Sequence, residues 1–419
     1  MKVIYNLFIT LYPKIAWLIS GKNAKAKLWL QGRKNIFESL KIAFKNNTDK
    51  VVWVHCSSLG EFEQGRPVME NLKKQFPFVK ILLTFFSPSG FEVRKNYEGA
   101  DWIFYLPMDS PKNAKRFFLI VQPALILFVK YEFWYYYLAE AKLKNVPLIL
   151  ISGIFRSNQI FFKWYGNFYR EMLQCFTHLF VQNEASQILL SNIHISQNVS
   201  VAGDTRFDRV LKIVEQFEPI TAIEKFVGNN AVIVAGSTWT EDDEELAHYA
   251  NTHTEIKFII APHEIEEERL QECLTLYKHS ILFSDWSQQT NPDNGNINCL
   301  IIDNIGMLSK LYYYATICYV GGGFGSDGVH NVLEAAVYSK PVFFGCEYEK
   351  YIEATEIIEA GGAVSIDNAL ALEKELTILF TNEKLYQEVA NSAGNYVQSK
   401  AGATKKIIQF IQEKRLLIN

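Results

Sequence analysis

The sequence has few cysteines for its 419 residues, and none of the six lies in a C-x-x-C spacing. Metal sites and redox motifs use such closely spaced pairs, and small secreted domains depend on dense disulfides. The absence of both features argues against a zinc site and a disulfide framework. It predicts reduced thiols that are mostly packed in cores. The cysteines are residues 56, 175, 273, 299, 318 and 346.

The chain also lacks a strong net charge, and it lacks a long uninterrupted apolar run. A formal net charge of −3 argues against a general nucleic-acid binder. The positive charge is concentrated at the N-terminus, where residues 1–50 carry ten Lys and Arg against Glu38 and Asp49. Hydrophobic residues make up 49% and charged residues 21%, which is globular composition. The length suggests two domains.

The apolar stretch from Val3 to Ser20 is interrupted by Asn6, Pro13 and Lys14. A spanning helix needs about 20 mostly apolar residues, and no small-residue cleavage site follows. The basic residues from 22 to 34 suit an anionic inner-leaflet surface. We therefore predict that residues 1–24 are a membrane-associating segment, either a short anchor or an interfacial helix. The alternative is an ordinary packed N-terminal helix.

Apolar β-rich runs alternate with amphipathic stretches along most of the chain, which is typical of parallel sheets with crossover helices. The pattern predicts an α/β protein with two Rossmann-like, doubly wound domains that face each other across a cleft. The predicted order is an N-terminal domain at 25–206, a linker at 207–230, a C-terminal domain at 231–400 and a C-terminal helix at 401–419 that packs back on the N-terminal domain. Predicted strands are 50–58, 80–87, 102–107, 124–130, 147–153, 178–182, 199–203, 231–237, 257–262, 280–284, 299–303, 315–322 and 341–345; 287–298 is predicted as a turn-rich loop.

Ligands of such folds bind beyond the carboxyl ends of the strands, so polar residues there are candidates. Glu61 follows the first strand at the start of a helix, where the helix dipole should keep its carboxylate ionised as a base or as a helix cap. Lys130 and Glu132 end another strand and should point the same way, as site residues or as a local ion pair. Arg206 is suited to a carboxylate or phosphate, or to an interdomain salt bridge with Asp208, and Arg156 is a weaker candidate.

The second half offers a similar series after its strands. Ser237 and Thr238 end the first strand, before an acidic run at 241–245 that we expect to be the solvated first turn of a helix. Pro262 and His263 follow the second strand. Ile305, Gly306 and Met307 form a turn in which the glycine lets a ligand approach the backbone.

A glycine-rich stretch, "GGGFGSDGVHNVLEAA" at 321–336, contains a G-x-G-x-x-G match from Gly323 to Gly328. A dinucleotide site would place this motif in the first strand-turn-helix unit of its domain, but here it lies in the fifth. His330 and Asn331 precede a short helix, and Glu334 follows one turn on. This arrangement favours one phosphate and a ribose, and so a mononucleotide grip.

Several motifs taken together resemble those of the 3-deoxy-D-manno-octulosonic acid (Kdo) transferases, and the resemblance runs from about residue 25 to 400. It implies a GT-B glycosyltransferase that moves Kdo from CMP-Kdo to a lipid A precursor (lipid IVA) in lipopolysaccharide synthesis, at the cytoplasmic face of the inner membrane, without a metal or cofactor and without a nucleic-acid partner. The motifs are "SSLGEFEQGRP", "KYEFW", "AGDTRFD", "GSTWTEDDE", "APHE", "DNIGMLSKLYYYA", "GGGF" and "GVHNVLEAAVYSKPVFFG".

The resemblance also implies roles for individual residues. Glu61 matches the general base of an inverting transfer, and Glu132 and Arg206 match positions that stabilise the transition state. The positions that match CMP-binding segments are Pro262, His263, Ile305, Gly306, Met307, His330, Asn331, Val332, Leu333 and Glu334.

Four positions depart from the family pattern. The family commonly has Lys where this chain has Arg206, Arg where it has His263, an acidic residue where it has Met307 and Pro where it has Val332. These departures indicate a divergent branch. Alternative functions are another nucleotide-sugar transferase or epimerase, a silent membrane-surface binding protein, and an NAD-linked dehydrogenase.

Overall fold

The computed structural model of the chain describes residues 1–289, 297–326 and 328–418. Contacts divide the chain into two compact units: Met1–Arg209 with Ala401–Asn419, and Val210–Lys400. The predicted turn-rich loop at 287–298 lies largely outside the described residues, and Asp327 of the glycine-rich stretch lies wholly outside them.

The first unit is built on a parallel sheet of seven strands in the order β3-β2-β1-β4-β5-β6-β7. All six residues of β1 are buried, because helices cover both faces of the sheet and such strands need apolar residues throughout. The predicted strands are confirmed with slightly tighter bounds. They are β1 (Val51–Cys56), β2 (Lys80–Phe85), β3 (Trp102–Tyr105), β4 (Pro123–Val129), β5 (Leu148–Gly153), β6 (His178–Val181) and β7 (Val199–Val201).

Helices of the first unit begin at recognisable caps. Ser87 and Ser110 precede prolines at the first helical positions, and each accepts a hydrogen bond from a backbone N–H of its helix. The helices are α1 (Lys2–Ile19), α2 (Ala24–Gln31), α3 (Ile36–Phe44), α4 (Leu59–Gln75), α5 (Pro88–Arg94), α6 (Pro111–Val121), α7 (Tyr135–Leu143), α8 (Asn167–Leu173), α9 (Glu184–Ser191) and α20 (Ala403–Glu413), with a short 3-10 turn at Ile160–Phe162.

The second unit has a parallel seven-stranded sheet in the order β10-β11-β9-β8-β12-β13-β14. Its last strand, Ala363–Ile366, was not predicted, because an edge strand of four residues with small and polar side chains lacks a clear apolar run. The strands are β8 (Val232–Thr238), β9 (Lys257–Pro262), β10 (Ser280–Leu282), β11 (Cys299–Ile301), β12 (Ile317–Val320), β13 (Val342–Gly345) and β14 (Ala363–Ile366).

Helix α10 starts in the first unit and continues into the second, so much of the segment at 207–230 is helical. The remaining helices are α10 (Thr205–Glu215), α11 (Thr221–Val227), α12 (Thr240–Thr252), α13 (Glu267–Leu276), α14 (Phe283–Gln288), α15 (Leu308–Leu311), α16 (Leu333–Ala336), α17 (Ile352–Glu359), α18 (Ala369–Thr381) and α19 (Glu383–Lys400), with a 3-10 turn at Tyr312–Tyr314.

Each sheet has a point at which the strand order reverses direction, and ligands of doubly wound folds bind beyond the strand ends there. In the first unit this point lies between β1 and β4, where "SSLGE" follows β1 and "KYEFW" follows β4. In the second unit it lies between β8 and β12, where Trp239 follows β8 and the glycine-rich stretch follows β12.

Candidate functional site

Glu61 occupies the first turn of α4, directly beyond β1. Its carboxylate reaches back to accept a short hydrogen bond from the backbone N–H of Ser57. Only 8% of the residue is exposed. Glu61 therefore does cap the helix, as the alternative interpretation held, but it does so as a buried carboxyl beside other charged groups.

The expectation that Glu61 stays ionised at neutral pH is wrong. Burial first, and then the negative charge of Glu132, raise the pKa of Glu61 to about 8. The backbone N–H groups of Ser57 and Ser58 and the Lys130 ammonium lower the pKa but do not offset the rise. The helix dipole acts in the same direction as these donors and is also outweighed. The carboxyl is thus poised to exchange a proton near neutral pH.

Glu132 lies beneath a tight turn that follows β4. The backbone leaves the extended conformation at Lys130, whose φ is +62°, so the two side chains do not share one face of a strand as expected. The Oε2 atom of Glu132 accepts a hydrogen bond of 2.5 Å from Trp134 Nε1 and lies 3.0 Å from His55 Nε2. His55 itself is fully buried in β1.

Arg206 pairs with a carboxylate of its own unit. Its Nε and Nη2 atoms lie 2.9 and 2.8 Å from Asp204 Oδ2. The same carboxylate oxygen also accepts a hydrogen bond from Gln64 Nε2 at 3.0 Å. Although burial raises it, the pKa of Asp204 is held below its ordinary value chiefly by the Arg206 guanidinium. Lys130 adds to that effect and also lowers the pKa of Glu61, so its ammonium lies close to both carboxyls.

Two residues named in the sequence analysis have other places. Asp208, suggested as a salt-bridge partner of Arg206, instead accepts from the backbone N–H groups of Gly402 and Thr404, at 2.6 Å each. Arg156 is an exposed residue beyond β5, near Tyr131. Burial raises the pKa of Tyr131, and the positive charge of Arg156 opposes this rise in part.

Three aromatic rings meet in the second unit. Trp239 Nε1 donates to His330 Nε2 at 3.0 Å, and the two rings are 20° from parallel. The His263 ring stacks on both, with centroid distances of 4.6 Å to Trp239 and 4.5 Å to His330. Because indole N–H is a donor only, a neutral His330 carries its own proton on Nδ1.

The glycine-rich turn is fixed by a buried acid. Asp242 accepts from the Gly322 N–H and the Tyr319 hydroxyl, both at 2.8 Å, and from the Trp239 N–H at 2.9 Å. Its neighbour Asp243 is also buried and pairs with Arg269. The expected solvated acidic turn is therefore wrong at these two positions, because their partners lie inside the unit.

Asn331 and Glu334 are bonded to each other, with Asn331 Nδ2 2.9 Å from Glu334 Oε1. The Asn331 side chain also accepts from the Leu333 N–H at 3.3 Å, at the start of the single-turn helix α16. Val332 and Leu333 are buried and hold this pair against the unit. The segment presents a polar edge next to the His330 ring.

The other candidates of the second unit lie on strand ends and turns. Pro262 is the buried last residue of β9, and the N–H of His263 donates to Thr238 O at 2.9 Å. Gly306 adopts a φ of +100° with open space where a Cβ would point, and Ile305 beside it is 85% exposed. Ser237 has a φ of +56°, and Met307 precedes α15.

Sequence reasoning missed His55, Trp134, Gln64, Asp204, Trp239 and Asp242. A histidine in the apolar run "VVWVHC", two residues before "SSLGE", was a signal for the first of them. Trp239 stands inside a quoted motif, but only the fold reveals its contact with His330. Four of the six cysteines are buried as predicted. Over the described ranges, no three His, Cys, Asp or Glu side chains group in a way that could hold a metal ion.

Comparison with known proteins gives consistent relatives. The family model described as 3-Deoxy-D-manno-octulosonic-acid transferase (kdotransferase) matches residues 34–209. A 3-deoxy-D-manno-octulosonic acid transferase of Aquifex aeolicus is 27% identical over 359 residues, which cover 83% of this chain and 92% of that protein. A bifunctional glycosyltransferase/methyltransferase of Fusobacterium nucleatum is 28% identical over 359 residues, and the match spans 82% of this chain but only 54% of that protein.

Solved structures share the two-unit architecture at low sequence identity. UDP-GlcNAc 2-epimerase from Neisseria meningitidis aligns with a TM-score of 0.62 and 18% identity, over 87% of this chain and 100% of that one. MurG of Acinetobacter baumannii aligns with a TM-score of 0.54 and 13% identity, over 87% of this chain and 99% of that one. The fold is GT-B, as predicted. The matched family model and the relatives show that the chain is a glycosyltransferase similar to the Kdo transferases.

Proposed function

We propose that the chain transfers Kdo from CMP-Kdo to a lipid A precursor (lipid IVA) by an inverting, metal-independent reaction at the cytoplasmic face of the inner membrane. The relatives named as Kdo transferases support the donor sugar. The observation that carries the mechanism is Glu61, a buried carboxyl with a raised pKa at the carboxyl ends of β1 and β4. An acceptor hydroxyl needs such a base to become a nucleophile.

In this reaction the ionised form of Glu61 takes the proton of the acceptor hydroxyl. The hydroxyl oxygen forms a bond to the anomeric carbon of Kdo while the bond from that carbon to the phosphate oxygen breaks. CMP leaves with the electron pair, and in-line attack inverts the anomeric centre. Lys130 and Arg206 are the cations of this region that suit the Kdo carboxylate or the departing phosphate. Glu132 contributes a fixed negative charge close to Glu61.

We assign CMP binding to polar edges of the second unit. The His330 imidazole is suited to phosphate, and the Asn331–Glu334 pair is suited to ribose hydroxyls. The exposed His263 ring has a planar face of the kind on which a nucleobase stacks. Pro262 and the turn from Ile305 to Met307 complete the set, since Gly306 leaves its backbone open to a ligand.

The acceptor and the membrane are assigned to the first unit. Helix α1 packs through a narrow stripe of Tyr5, Ile9 and Ala16 and exposes large apolar side chains elsewhere. No described helix is long and apolar enough to cross a bilayer. An interfacial helix fits this pattern, and exposed lysines beside it complement anionic lipid. The exposed apolar residues are Val3, Ile4, Leu7, Phe8, Leu11, Ile15, Trp17, Leu18 and Ile19, and the lysines are Lys14, Lys22, Lys25, Lys27 and Lys34.

A mostly apolar cavity of about 270 Å³ opens between α1, α2 and the start of α5. Ile15, Ile19, Trp29 and Phe86 line it, with Lys25 at its edge. It lies near the catalytic carboxyl, because the N–H of Ser87 in its wall donates to the Ser57 carbonyl at 2.8 Å. An acyl chain of a phosphorylated glycolipid fits a cavity of this composition.

The transfer is tested with purified protein, CMP-Kdo and tetraacylated lipid A precursor. We expect CMP release and a Kdo-bearing lipid resolved by mass, and a large loss of both in Glu61→Gln. The absence of product under conditions in which a known Kdo transferase works would overturn the proposal. A thermal-shift series with CMP, UDP and GDP tests the alternative donor, since a bound ligand raises the melting temperature.

Membrane association is tested by co-sedimentation with vesicles of anionic or neutral phospholipid. Trp17→Asp with Leu18→Asp should release the protein from anionic vesicles. Leu119→Asp on α6, which is 66% exposed, serves as the matched control and should sediment as the wild type does. Equal sedimentation of both variants would refute a role for α1.

A further inference from the structure

A fully buried histidine lies directly beneath the catalytic carboxyls of the first unit. His55 is the fifth residue of β1, in a strand whose other members are Val51, Val52, Trp53, Val54 and Cys56. Burying an imidazole in such a strand is costly unless both nitrogens are bonded. Both have partners, and one of them is Glu132.

The hydrogen bonds around His55 are consistent with a proton on Nε2, in which case the Thr84 hydroxyl donates to Nδ1. Its Nδ1 lies 2.9 Å from Thr84 Oγ1 and 3.1 Å from Thr84 O. Its Nε2 lies 3.0 Å from Glu132 Oε2, which already accepts from Trp134 Nε1. A carboxyl oxygen that accepts from an indole N–H is a poor place for a proton, so the proton between His55 and Glu132 belongs on Nε2. Two N–H groups then converge on Oε2.

We propose that His55 is a positioning residue: its Nε2–H and the Trp134 indole N–H converge on Oε2 of Glu132 and hold that carboxylate in place, and through Glu132 His55 sets the basicity of Glu61. The inference rests on the proposed role of Glu61 as the base. Hydrogen bonds to the charged form of a carboxyl favour that form. A lone negative charge buried near Glu61 then makes Glu61 hold its proton more tightly.

The electrostatics of Glu61 agree with this chain of contacts. After burial, the charge of Glu132 is the next cause that raises its pKa. The other charged or titratable groups that face Glu61 are Lys130 and Tyr131 from the turn after β4 and Cys56 at the end of β1. Lys130 opposes the rise, and the Tyr131 hydroxyl and Cys56 thiol are neutral near pH 7. Glu132 is thus the neighbour that can adjust the base upward.

The test compares His55→Phe, which removes the donor, with His55→Gln, whose amide N–H can reach the position of Nε2. In His55→Phe, we expect the acidic limb of the kcat/KM profile to move to lower pH by about one unit. We expect kcat to fall about tenfold or more while the KM for CMP-Kdo holds. In His55→Gln the acidic limb should return most of the way to its wild-type pH. A purely structural role of the imidazole ring would not produce this recovery.

A second readout does not need turnover. The melting temperature difference between Glu61→Gln and the parent should grow from pH 5 to pH 9, and this growth should shrink in the His55→Phe background. If His55→Phe does not fold, Trp134→Phe removes the other donor to the same oxygen and should shift the limb in the same direction. The inference would be overturned if the acidic limb of the kcat/KM profile and the pH dependence of the melting-temperature difference both stayed as in the wild type. Wild-type protein that transfers no Kdo would overturn the proposed function instead, and the thermal comparison would still judge His55.

Discussion

Replacing Glu61 by Gln should abolish transfer and yet stabilise the first unit in mildly alkaline solution. The amide keeps the shape of the side chain, and its oxygen can still accept from the Ser57 N–H. It removes a carboxyl that is 8% exposed and lies near the charge of Glu132. Loss of a general base lowers turnover by about 10² to 10⁴-fold.

The stabilisation has a definite pH window. In the unfolded chain Glu61 ionises near its ordinary value of 4.5, whereas in the folded chain it holds its proton to about 8. Between these values only the folded state binds the proton, so the free energy of unfolding falls as pH rises across the window. The full loss is about 5 kcal/mol, and it is complete above pH 8. Gln does not titrate and escapes this loss.

Calorimetry at pH 5 and pH 9 measures the effect. For a unit of about 200 residues, we expect the melting temperature of Glu61→Gln relative to wild type to rise by about 10 °C between the two pH values. Glu63→Gln on the same helix is the matched control. Glu63 pairs with Arg94 at 2.8 Å, so its loss should destabilise the unit slightly at both pH values. A Glu61→Gln difference that is the same at pH 5 and pH 9 would refute the reasoning.

Three further changes have clear expected outcomes. Arg33 donates to three backbone carbonyls and lies over aromatic rings, so Arg33→Met should destabilise the first unit by about 3 kcal/mol or more, seen as a lower urea midpoint; an unchanged midpoint would contradict this. Gly323→Ala places a Cβ 2.5 Å from the Gly345 N and should unfold the second unit, which circular dichroism would detect as a loss of signal. The control Gly325→Ala should fold normally, because the nearest atom to its Cβ is 3.8 Å away. Trp239→Phe keeps an aromatic ring but loses the indole N–H, and CMP affinity measured by calorimetry should fall about fivefold; unchanged affinity would remove this residue from the site.

Much of the fold follows from local sequence. Runs such as "ALILFV" and "FIIAP" belong to strands covered on both faces of parallel sheets, and such strands are apolar at nearly every position. The edge strand at Ala363–Ile366 was missed because its partner on one side is solvent. The positive φ of Lys130 was also missed, since nothing in "FVKYEF" marks the end of the strand one residue early.

The site was less accessible to sequence, because its chemistry depends on contacts between distant segments. The motif "GEF" locates Glu61 but not its protonation, which depends on burial and on a charge 71 residues away along the chain. Asp242 and Asp243 belong to a run of five consecutive acids, which locally predicts solvent exposure. Their partners Tyr319 and Arg269 lie 77 and 26 residues away.

The glycine-rich turn shows how a phosphate-binding motif can arise from packing alone. A Cβ on Gly321 would lie 2.4 Å from Ser237 O, and a Cβ on Gly323 would lie 2.5 Å from Gly345 N, so both glycines are required where backbone meets backbone. Gly322 needs its φ of +92° to direct its N–H to Asp242. Gly323, the first glycine of the G-x-G-x-x-G match, is therefore explained by its contact inside the unit and does not need a dinucleotide to explain it. Together these glycines bring the polar edge that begins at His330 to the carboxyl end of β12. A mononucleotide site at that edge and a dinucleotide site at the glycine motif can be separated by experiment. The first requires that a folded variant of the polar edge loses CMP binding.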